Sequence, residues 1–334
     1  MPARGLASGM SITPSATSVL ITGARGYIGR QLVARLAGAP GTLGAIVSTD
    51  ILETPDRDRV PGVIYRLADV RDPAVADLME QYRTDCVVHL AAVVTPGRDT
   101  DTELEYAIDV DGSANVLRCC LKRNVPQLIV ISSGAAYGYH PDNPPWLDED
   151  APLRGNDSFP YARHKRLIEE LLARARREDP YLRQLIFRPG TILGERVANR
   201  LTALFDRRWV LGLRGCDSPF VFIWDQDVVN CLELGIREQR SGIYNLAGDG
   251  ALTLREIAGR TGKPYLALPR RPVQGAIALL HVAGLTGYRP GQIDFLRYRP
   301  VLSNARLKSE FGYTPRKTTA EAFDCYWRLA GGSR

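Results

Sequence analysis

The chain has 334 residues, a formal net charge of +6, 45% hydrophobic residues and 24% charged residues. This length can hold one large core or two unequal lobes, and the average composition excludes wholesale disorder and a fibrous architecture. The charge surplus comes mostly from arginines that are dispersed along the chain. Such dispersion predicts a solvated basic surface and no nucleic-acid partner.

The cysteines and the N-terminus predict a cytoplasmic protein without a membrane anchor. The six cysteines include no CxxC pair and no metal-ligand spacing, which is typical of reduced, buried thiols and predicts no metal site. Residues 1–17 lack the apolar centre of a signal peptide, and we expect them to be disordered. Glycines and a histidine interrupt the apolar segment 273–285, which favours a helix over membrane contact.

Short apolar runs alternate with helix-length segments from residue 18 to about residue 190. The alternation is typical of βα units that build a parallel sheet with helices on both faces. Strands are predicted at 18–23, 45–50, 63–67, 86–90, 128–132 and 184–188. Helices are predicted near 28–37, 73–81, 103–123 and 159–177. The pattern predicts an α/β fold with a doubly wound parallel sheet of the Rossmann type.

The alternation weakens after Pro189, where a second lobe is expected to begin. Residues 218–233 and 242–246 resemble a return of the chain to the sheet. We therefore predict a Rossmann domain formed by residues 18–190 and 218–246. A smaller C-terminal, substrate-binding lobe is predicted from residues 191–217 and 247–334.

A glycine turn follows the first predicted strand and opens the first predicted helix. Gly23 allows the tight turn, Gly26 lets a pyrophosphate approach the backbone, and Gly29 lets the helix pack close to the strand. Tyr27 and Ile28 begin that helix, beside the expected phosphates. The turn therefore predicts a dinucleotide site.

Two charged residues bear on the choice of dinucleotide. Asp50 ends the second predicted strand, where its carboxylate would accept hydrogen bonds from the adenosine ribose and repel a 2′-phosphate. Arg25 is an opposing signal, because its guanidinium could reach a phosphate. The balance predicts NAD, with NADP as the less favoured cofactor.

Two further strand ends are expected to line the same site. Asp69 and Val70 follow the third strand, where Asp69 could meet the adenine amino group. Leu90, Ala91 and Ala92 follow the fourth strand, where small residues let the cofactor pass close to the backbone.

Tyr161 and Lys165 are four residues apart at the start of a predicted helix, so both side chains lie on one helix face. A nearby ammonium and a positive nicotinamide ring would lower the pKa of Tyr161 and make it a usable acid or base. Ser133 ends the fifth strand, where a hydroxyl can orient a substrate oxygen. These three residues are the predicted catalytic group.

Taken together, the motifs resemble those of an extended short-chain dehydrogenase/reductase of the NAD-dependent epimerase/dehydratase type, over roughly residues 18–315. The resemblance rests on TGARGYIG (22–29), ADV (68–70), HLAA (89–92), DVDGSAN (109–115), SSGAAYG (132–138), PYARHK (160–165), FRPG (187–190) and SNARLKSEFGYTP (303–315). It implies that Lys165 also holds the nicotinamide ribose and that the loop from Pro189 to Ile192 borders the nicotinamide. It also implies a homodimer that pairs the helices near 103–123 and 159–177.

Three departures from the family pattern bear on the reaction. Gly134 and Ala135 stand where sugar-nucleotide dehydratases of the family carry an Asp-Glu pair, so a dehydratase is disfavoured. Phe220 replaces an arginine that pairs with a substrate diphosphate in nucleotide-sugar enzymes. With Phe222 and Trp224, it is expected either in the sheet core or beside a less polar substrate. Asp109 replaces the usual asparagine near the cofactor, so we count it as cofactor-binding with altered hydrogen bonding.

The leading hypothesis is an NAD-dependent oxidoreductase that transfers a hydride between nicotinamide and a small alcohol or carbonyl substrate. One alternative is a UDP-sugar 4-epimerase with tightly bound NAD, in which Arg214 or Arg289 would bind the diphosphate. A second alternative is a dinucleotide-sensing protein without catalysis. The loops at 93–100 and 138–157, the latter with His140 as a candidate substrate contact, are expected to shape the pocket.

Overall fold

The computed structural model describes residues 16–41, 43–93, 102–195, 197, 202–205, 207–217, 219–282 and 297–331. The predicted disordered tail lies almost wholly outside these residues, and Thr17 already belongs to the first strand. A parallel sheet of seven strands forms the centre. Its strands are β1 (Thr17–Thr22), β2 (Leu43–Asp50), β3 (Val63–Leu67), β4 (Cys86–His89), β5 (Gln127–Ile131), β6 (Arg183–Pro189) and β10 (Gly242–Leu246). The order across the sheet is β10-β6-β5-β4-β1-β2-β3, which confirms the predicted fold class.

Some of the helices cover the two faces of the sheet, and the others belong to the rest of the chain. The helices are α1 (Tyr27–Gly38), α2 (Val75–Gln81), α3 (Thr102–Tyr106), α4 (Gly112–Lys122), α5 (Pro160–Glu178), α6 (Thr202–Phe205), α7 (Asp225–Arg237), α8 (Leu254–Thr261), α9 (Arg270–Val282), α10 (Ala305–Ser309) and α11 (Thr319–Leu329). The single helix predicted near 103–123 is interrupted by a π-helical turn at Ala107–Asp111, between α3 and α4.

Alternation along the strands divides the core into two layers. Val19 and Ile21 of β1 join one hydrophobic cluster, whereas Leu20 between them joins the other. Successive strand residues point to opposite faces, so a strand that is apolar throughout is buried on both sides. The first cluster packs α1 and α7 against the sheet, and the second packs α2, α4 and α5.

The segment after residue 217 rejoins the sheet only in part. Strand β10 pairs with β6 and becomes the edge strand, as expected for 242–246. The short strand β9 (Phe222–Trp224) instead pairs with β7 (Thr191–Leu193) in a separate two-stranded sheet. Helix α7, which follows β9 directly, supplies residues to the cluster that covers one face of the main sheet.

The remaining elements build a second apolar centre. Strands β8 (Val210–Leu213) and β11 (Tyr265–Leu268) pair with each other. Phe205, Phe220, Phe222 and Phe323 form the middle of a separate hydrophobic cluster. Leu307 of α10, however, packs into the cluster with the main sheet. The division into a Rossmann domain and a substrate lobe stays a prediction. Within the described part of the chain, no helix combines the length and apolar character needed to span a membrane.

Candidate active site

The glycine turn lies at the point where the strand order of the sheet reverses. Strand β1 lies between β2 and β4. The strands that follow in sequence are added on one side as β2 and β3 and on the other side as β4, β5, β6 and β10. At the carboxyl end of β1, Gly23 has φ +64°, and a Cβ on it would lie 2.5 Å from the amide nitrogen of Ala91. Such reversal points are where open α/β sheets bind ligands.

The other two glycines differ in how much space surrounds them. A Cβ on Gly29 would lie 2.6 Å from the carbonyl oxygen of Gly23, so this glycine lets α1 pack against the turn. A Cβ on Gly26 would meet only that same oxygen, at 3.0 Å. Gly26 also precedes α1 without a side-chain cap, and the first turn of α1 holds no acidic residue. The turn therefore leads into a helix N-terminus with no acidic side chain, which is the kind of position where helices bind anions.

Asp50 lies beside the turn at the end of β2. Its Oδ2 accepts a hydrogen bond from the backbone N–H of Arg25 at 3.0 Å, and its Oδ1 accepts one from Leu52 at 3.2 Å. The carboxylate is therefore held next to the turn of Gly23, Gly26 and Gly29, which forms the glycine cradle of this site. A glycine cradle with a fixed acid at the next strand end fits the diphosphate and ribose of a dinucleotide.

At the end of the third strand, Asp69 and Val70 already have hydrogen-bond partners within the protein. Arg71 forms an ion pair with Asp69, and this hydrogen-bonded guanidinium lowers the pKa of the Asp69 carboxyl. Val70 is buried, and its carbonyl accepts a hydrogen bond from Asn115 at 2.8 Å. The assignment of Asp69 to adenine stays a prediction, since Arg71 competes for its oxygens.

Ser133, Tyr161 and Lys165 lie together. Ser133 lies two residues after the end of β5, at the start of a short turn (Gly134–Tyr137) that packs on α5, and a hydrogen bond from its side chain acts to lower the pKa of Tyr161. Lys165 is buried, donates a 3.0 Å hydrogen bond to the carbonyl of Ile131, and has its Nζ 5.8 Å from the ring centre of Tyr161. Pro160 at the first turn of α5 suits a helix start, and the four-residue spacing puts Tyr161 and Lys165 on one face of α5.

The protein groups alone move the pKa of Tyr161 in the opposite direction to the sequence expectation. Burial raises the pKa of Tyr161, the hydrogen bond from Ser133 opposes this, and the charge of Asp109 adds to the increase. Burial likewise lowers the pKa of Lys165, against the charges of Asp109 and Glu169. Desolvation of the charged form is therefore the largest cause of both shifts.

Asp109 contacts both neighbouring segments of the site. Its Oδ1 accepts a hydrogen bond from the backbone N–H of Val93 at 2.8 Å, and its Oδ2 lies 3.0 Å from Nδ1 of His164. His89 is a hydrogen-bonded residue of the sheet, because its ring is hydrogen-bonded to Thr22 and Ser113. Sequence reasoning did not find the partner of Asp109.

A buried polar group beneath the site also went unnoticed in the sequence. Arg188 of the FRPG motif forms a 2.6 Å ion pair with Glu169, and both side chains are almost fully buried. Glu169 accepts a hydrogen bond from Ser132, and Arg188 donates one to Tyr137. A possible signal was the position of Glu169, one helical turn after Lys165 on the same face of α5.

Three residues that depart from the family pattern, Gly134, Ala135 and Phe220, are buried against other side chains. Gly134 and Ala135 are buried, and a Cβ on Gly134 would lie 2.9 Å from the side chain of Leu302. Phe220 is a core residue, and the guanidinium of Arg299 lies 4.0 Å from its ring centre. Burial raises the pKa of nearby Tyr139, while the charge of Arg299 opposes this increase.

The remaining predicted residues have these positions. Pro189 ends β6, and Ile192 lies in β7 against the main core. His140 is hydrogen-bonded to the carbonyl of Arg154 within the 138–157 loop. Arg214 bonds the carbonyl of Ala267 near the end of β11. Arg289 and all but Val93 of the 93–100 loop lie outside the described residues. Within the described ranges, no group of three or more histidine, cysteine or acidic residues could hold a metal ion.

Some known proteins are similar to this chain in sequence, and solved structures are similar to it in fold. An uncharacterized protein of Mycobacterium tuberculosis, Rv0501, is 27% identical over 317 residues, which cover 94% of this chain and 84% of the relative. Short-chain dehydrogenase/reductase family 42E member 1 of Mus musculus is 29% identical, over 77% of this chain and 64% of its own length.

Among solved structures, the UDP-glucose 4-epimerase of Thermus thermophilus in complex with NAD superposes with a TM-score of 0.72 at 24% identity. The match covers 95% of this chain and all of that one. The model of the NAD dependent epimerase/dehydratase family matches residues 19–246, and this chain therefore belongs to that family.

Proposed function

We propose that the protein is an NAD-dependent oxidoreductase that transfers a hydride between the cofactor and a small alcohol or carbonyl substrate. The observation that carries the proposal is the position of Lys165, whose Nζ lies 5.8 Å from the ring centre of Tyr161 on a helix that packs against the turn beginning at Ser133. Family membership and the glycine cradle support NAD as the cofactor.

The residues that would hold NAD follow the edge of the sheet. The diphosphate would lie on the backbone of Gly23 and Gly26 at the start of α1, and the adenosine ribose would bond Asp50. Leu90 to Ala92 would pass beneath the cofactor, and Lys165 would reach the nicotinamide ribose. Bound NAD accepts or supplies the hydride, whereas the proton is moved by the protein.

The proton passes between Tyr161 and the substrate oxygen. In reduction, the Tyr161 hydroxyl donates its proton to the carbonyl oxygen while Ser133 donates a hydrogen bond to the same oxygen. In oxidation, the Tyr161 phenolate takes the proton of the substrate alcohol. Because burial raises the pKa of Tyr161, the protein alone keeps this residue protonated and suits it to the acid role. Lys165, together with a bound positive nicotinamide, favours the phenolate needed for oxidation.

Elimination of water is disfavoured at this site. A dehydratase needs further acid and base groups beside the catalytic hydroxyl, whereas Gly134 and Ala135 occupy that position and carry none. The packing of Gly134 against Leu302 leaves no space for a longer side chain without displacing Leu302. Hydride transfer between NAD and an alcohol or carbonyl needs only one proton-transferring residue, and Tyr161 supplies it.

Steady-state absorbance of reduced nicotinamide, with a panel of carbonyl substrates, tests the proposal. We expect turnover that falls about 100- to 10,000-fold in Tyr161→Phe, the usual contribution of a general acid. NAD binding, followed by fluorescence, should survive in that variant. Binding of NAD without turnover above the Tyr161→Phe background would favour the sensing alternative.

A nucleotide-sugar 4-epimerase is the second candidate, and Arg299 is the observation that favours it. Its guanidinium lies on the ring of Phe220, and its charge acts on Tyr139, whose pKa also responds to Tyr161. A substrate diphosphate requires a cation, and Arg299 lies against Phe220, the residue that replaces the diphosphate-binding arginine of the family pattern. Interconversion of UDP-glucose and UDP-galactose with no net change in reduced nicotinamide would select this candidate.

A further inference from the structure

One buried carboxylate joins two segments of the site. Asp109 is 1% exposed, and its two oxygens bind the N–H of Val93 and the ring of His164, which is 3% exposed. Val93 directly follows the segment Leu90 to Ala92, whose backbone lies against Gly23. His164 directly precedes Lys165 on α5. Asp109 therefore connects the cofactor segment to the helix that carries Tyr161 and Lys165.

The π-helical turn explains how Asp109 reaches both partners. A π-helical turn inserts an extra residue in a helix and reorients its side chains, and such turns recur at functional sites. This turn contacts α5 directly, and Tyr106 at its start packs edge-to-face on His164 with ring centres 5.5 Å apart. Arg163 lies over the same tyrosine ring, 5.8 Å from its centre.

The charged and titratable groups around the pair come from α5, β4 and α3, and α3 supplies Tyr106, which packs on His164. Tyr161, Arg163 and Lys165 lie on α5 with His164. On β4, His89 is linked to the pair through Ser113, whose hydroxyl donates a 2.5 Å hydrogen bond to the carbonyl of Asp109. The charge of Asp109 raises the pKa of Tyr161, Lys165 and His89, in each case beside the larger effect of burial.

We propose that Asp109 and His164 form a positioning pair for the reaction. The pair holds the cofactor segment against the catalytic helix, and the carboxylate sets the charge around Tyr161 and Lys165. The proposal rests on the oxidoreductase function given above. It assigns a partner and a role to the aspartate that replaces the usual asparagine of the family.

Two substitutions separate the charge from the contacts. In Asp109→Asn, the carboxamide oxygen can still accept from Val93, and its N–H can donate to Nδ1 of a neutral His164, so that only the charge is lost. In Asp109→Ala, both contacts are lost as well. Asp111→Asn is the matched control, because it removes an exposed carboxylate from the same π-helical turn.

The readout is the ionisation of Tyr161 in the NAD-saturated protein, measured as phenolate absorbance. The chain has 14 tyrosines, so the titration of the corresponding Tyr161→Phe protein is subtracted in each background. We expect Asp109→Asn to have about threefold more Tyr161 phenolate at pH values below the midpoint, because a nearby like charge is lost. Asp111→Asn should titrate as the parent protein does.

NAD affinity tests the contacts. We expect it to stay within about twofold in Asp109→Asn and to fall roughly tenfold in Asp109→Ala, which leaves buried donors unpaired. An unchanged Tyr161 titration in Asp109→Asn would overturn the charge role, whether or not Asp109→Ala folds. Equal NAD affinity in the two variants would overturn the positioning role. Neither measurement needs a substrate, so failure of the proposed reaction is scored separately, by the absence of turnover.

Discussion

The hydroxyl of Tyr27 donates a 2.6 Å hydrogen bond to Oδ2 of Asp225, which joins the glycine turn to the first residue of α7. Gly194, just beyond β7, leaves room for this hydrogen bond. A Cβ at position 194 would lie 2.1 Å from both the Tyr27 hydroxyl and the Asp225 carboxylate. Asp225 is 3% exposed. The turn that would hold the cofactor diphosphate is thus fixed to the chain segment around Ile192, where the nicotinamide is expected.

Tyr27→Phe should therefore weaken both stability and cofactor binding. Loss of the hydroxyl leaves a buried carboxylate oxygen without this donor, at an expected cost of about 1–3 kcal/mol in the free energy of unfolding. Urea denaturation and an NAD titration measure the two effects. Tyr181→Phe, at a side chain that is 89% exposed, is the control and should change neither. A parent-like NAD affinity in Tyr27→Phe would contradict the link to the turn.

Gly23→Ala should abolish NAD binding and destabilise the protein. The new Cβ would lie 2.5 Å from the backbone of Ala91, and the positive φ adds strain, so we expect a loss of about 2–4 kcal/mol. Gly38→Ala is the matched control at the end of α1, where a Cβ meets nothing within 4 Å. It should leave NAD binding intact and leave stability equal or slightly higher. Thermal denaturation with and without NAD distinguishes the variants.

Glu169→Gln should cost far more stability than the same change at the next residue. Glu169 is buried with Arg188, and removal of its charge leaves the guanidinium uncompensated, at about 3–5 kcal/mol. Glu170 pairs with Arg166 at 3.5 Å on the surface, so Glu170→Gln should cost less than about 1 kcal/mol. Equal midpoints of urea unfolding for the two variants would show that the buried pair contributes little.

His89 should make the protein less stable in acid. Burial lowers the pKa of His89 to about 4, with the charge of Lys165 acting in the same direction and that of Asp109 opposing. Between about pH 6.5 and pH 4, the unfolded chain binds a proton at this residue and the folded chain does not, so stability falls as the pH falls. The whole window is worth about 3 kcal/mol.

The difference in unfolding free energy between the parent protein and His89→Asn, measured at pH 7.5 and pH 5, isolates this effect. Packing losses in the variant are the same at both pH values and cancel. The stability advantage of the parent should therefore shrink at pH 5. An advantage that does not change with pH would mean that His89 takes up a proton in the folded protein as readily as in the unfolded chain.

The local pattern of the sequence was sufficient for the main sheet and for the order of motifs along it. Apolar runs placed the strands β1 to β6 to within two residues, because inner strands that are buried on both faces are largely apolar; the edge strand β3 is less buried. Helical spacing likewise placed Tyr161 and Lys165 on one face of α5. These features depend on residues that are close along the chain, so periodicity predicts them.

Only the tertiary structure decided the partners of the buried polar groups. Asp109 meets His164 across 55 residues, and Tyr27 meets Asp225 across 198. The π-helical turn and the pairing of β9 with β7 also depend on neighbours that are distant in sequence. A buried charge takes the partner that the packed fold brings within hydrogen-bond distance, and no local pattern encodes that choice. The sequence by itself thus determined the sheet and the candidate catalytic residues, whereas the packed structure decided which charges surround them.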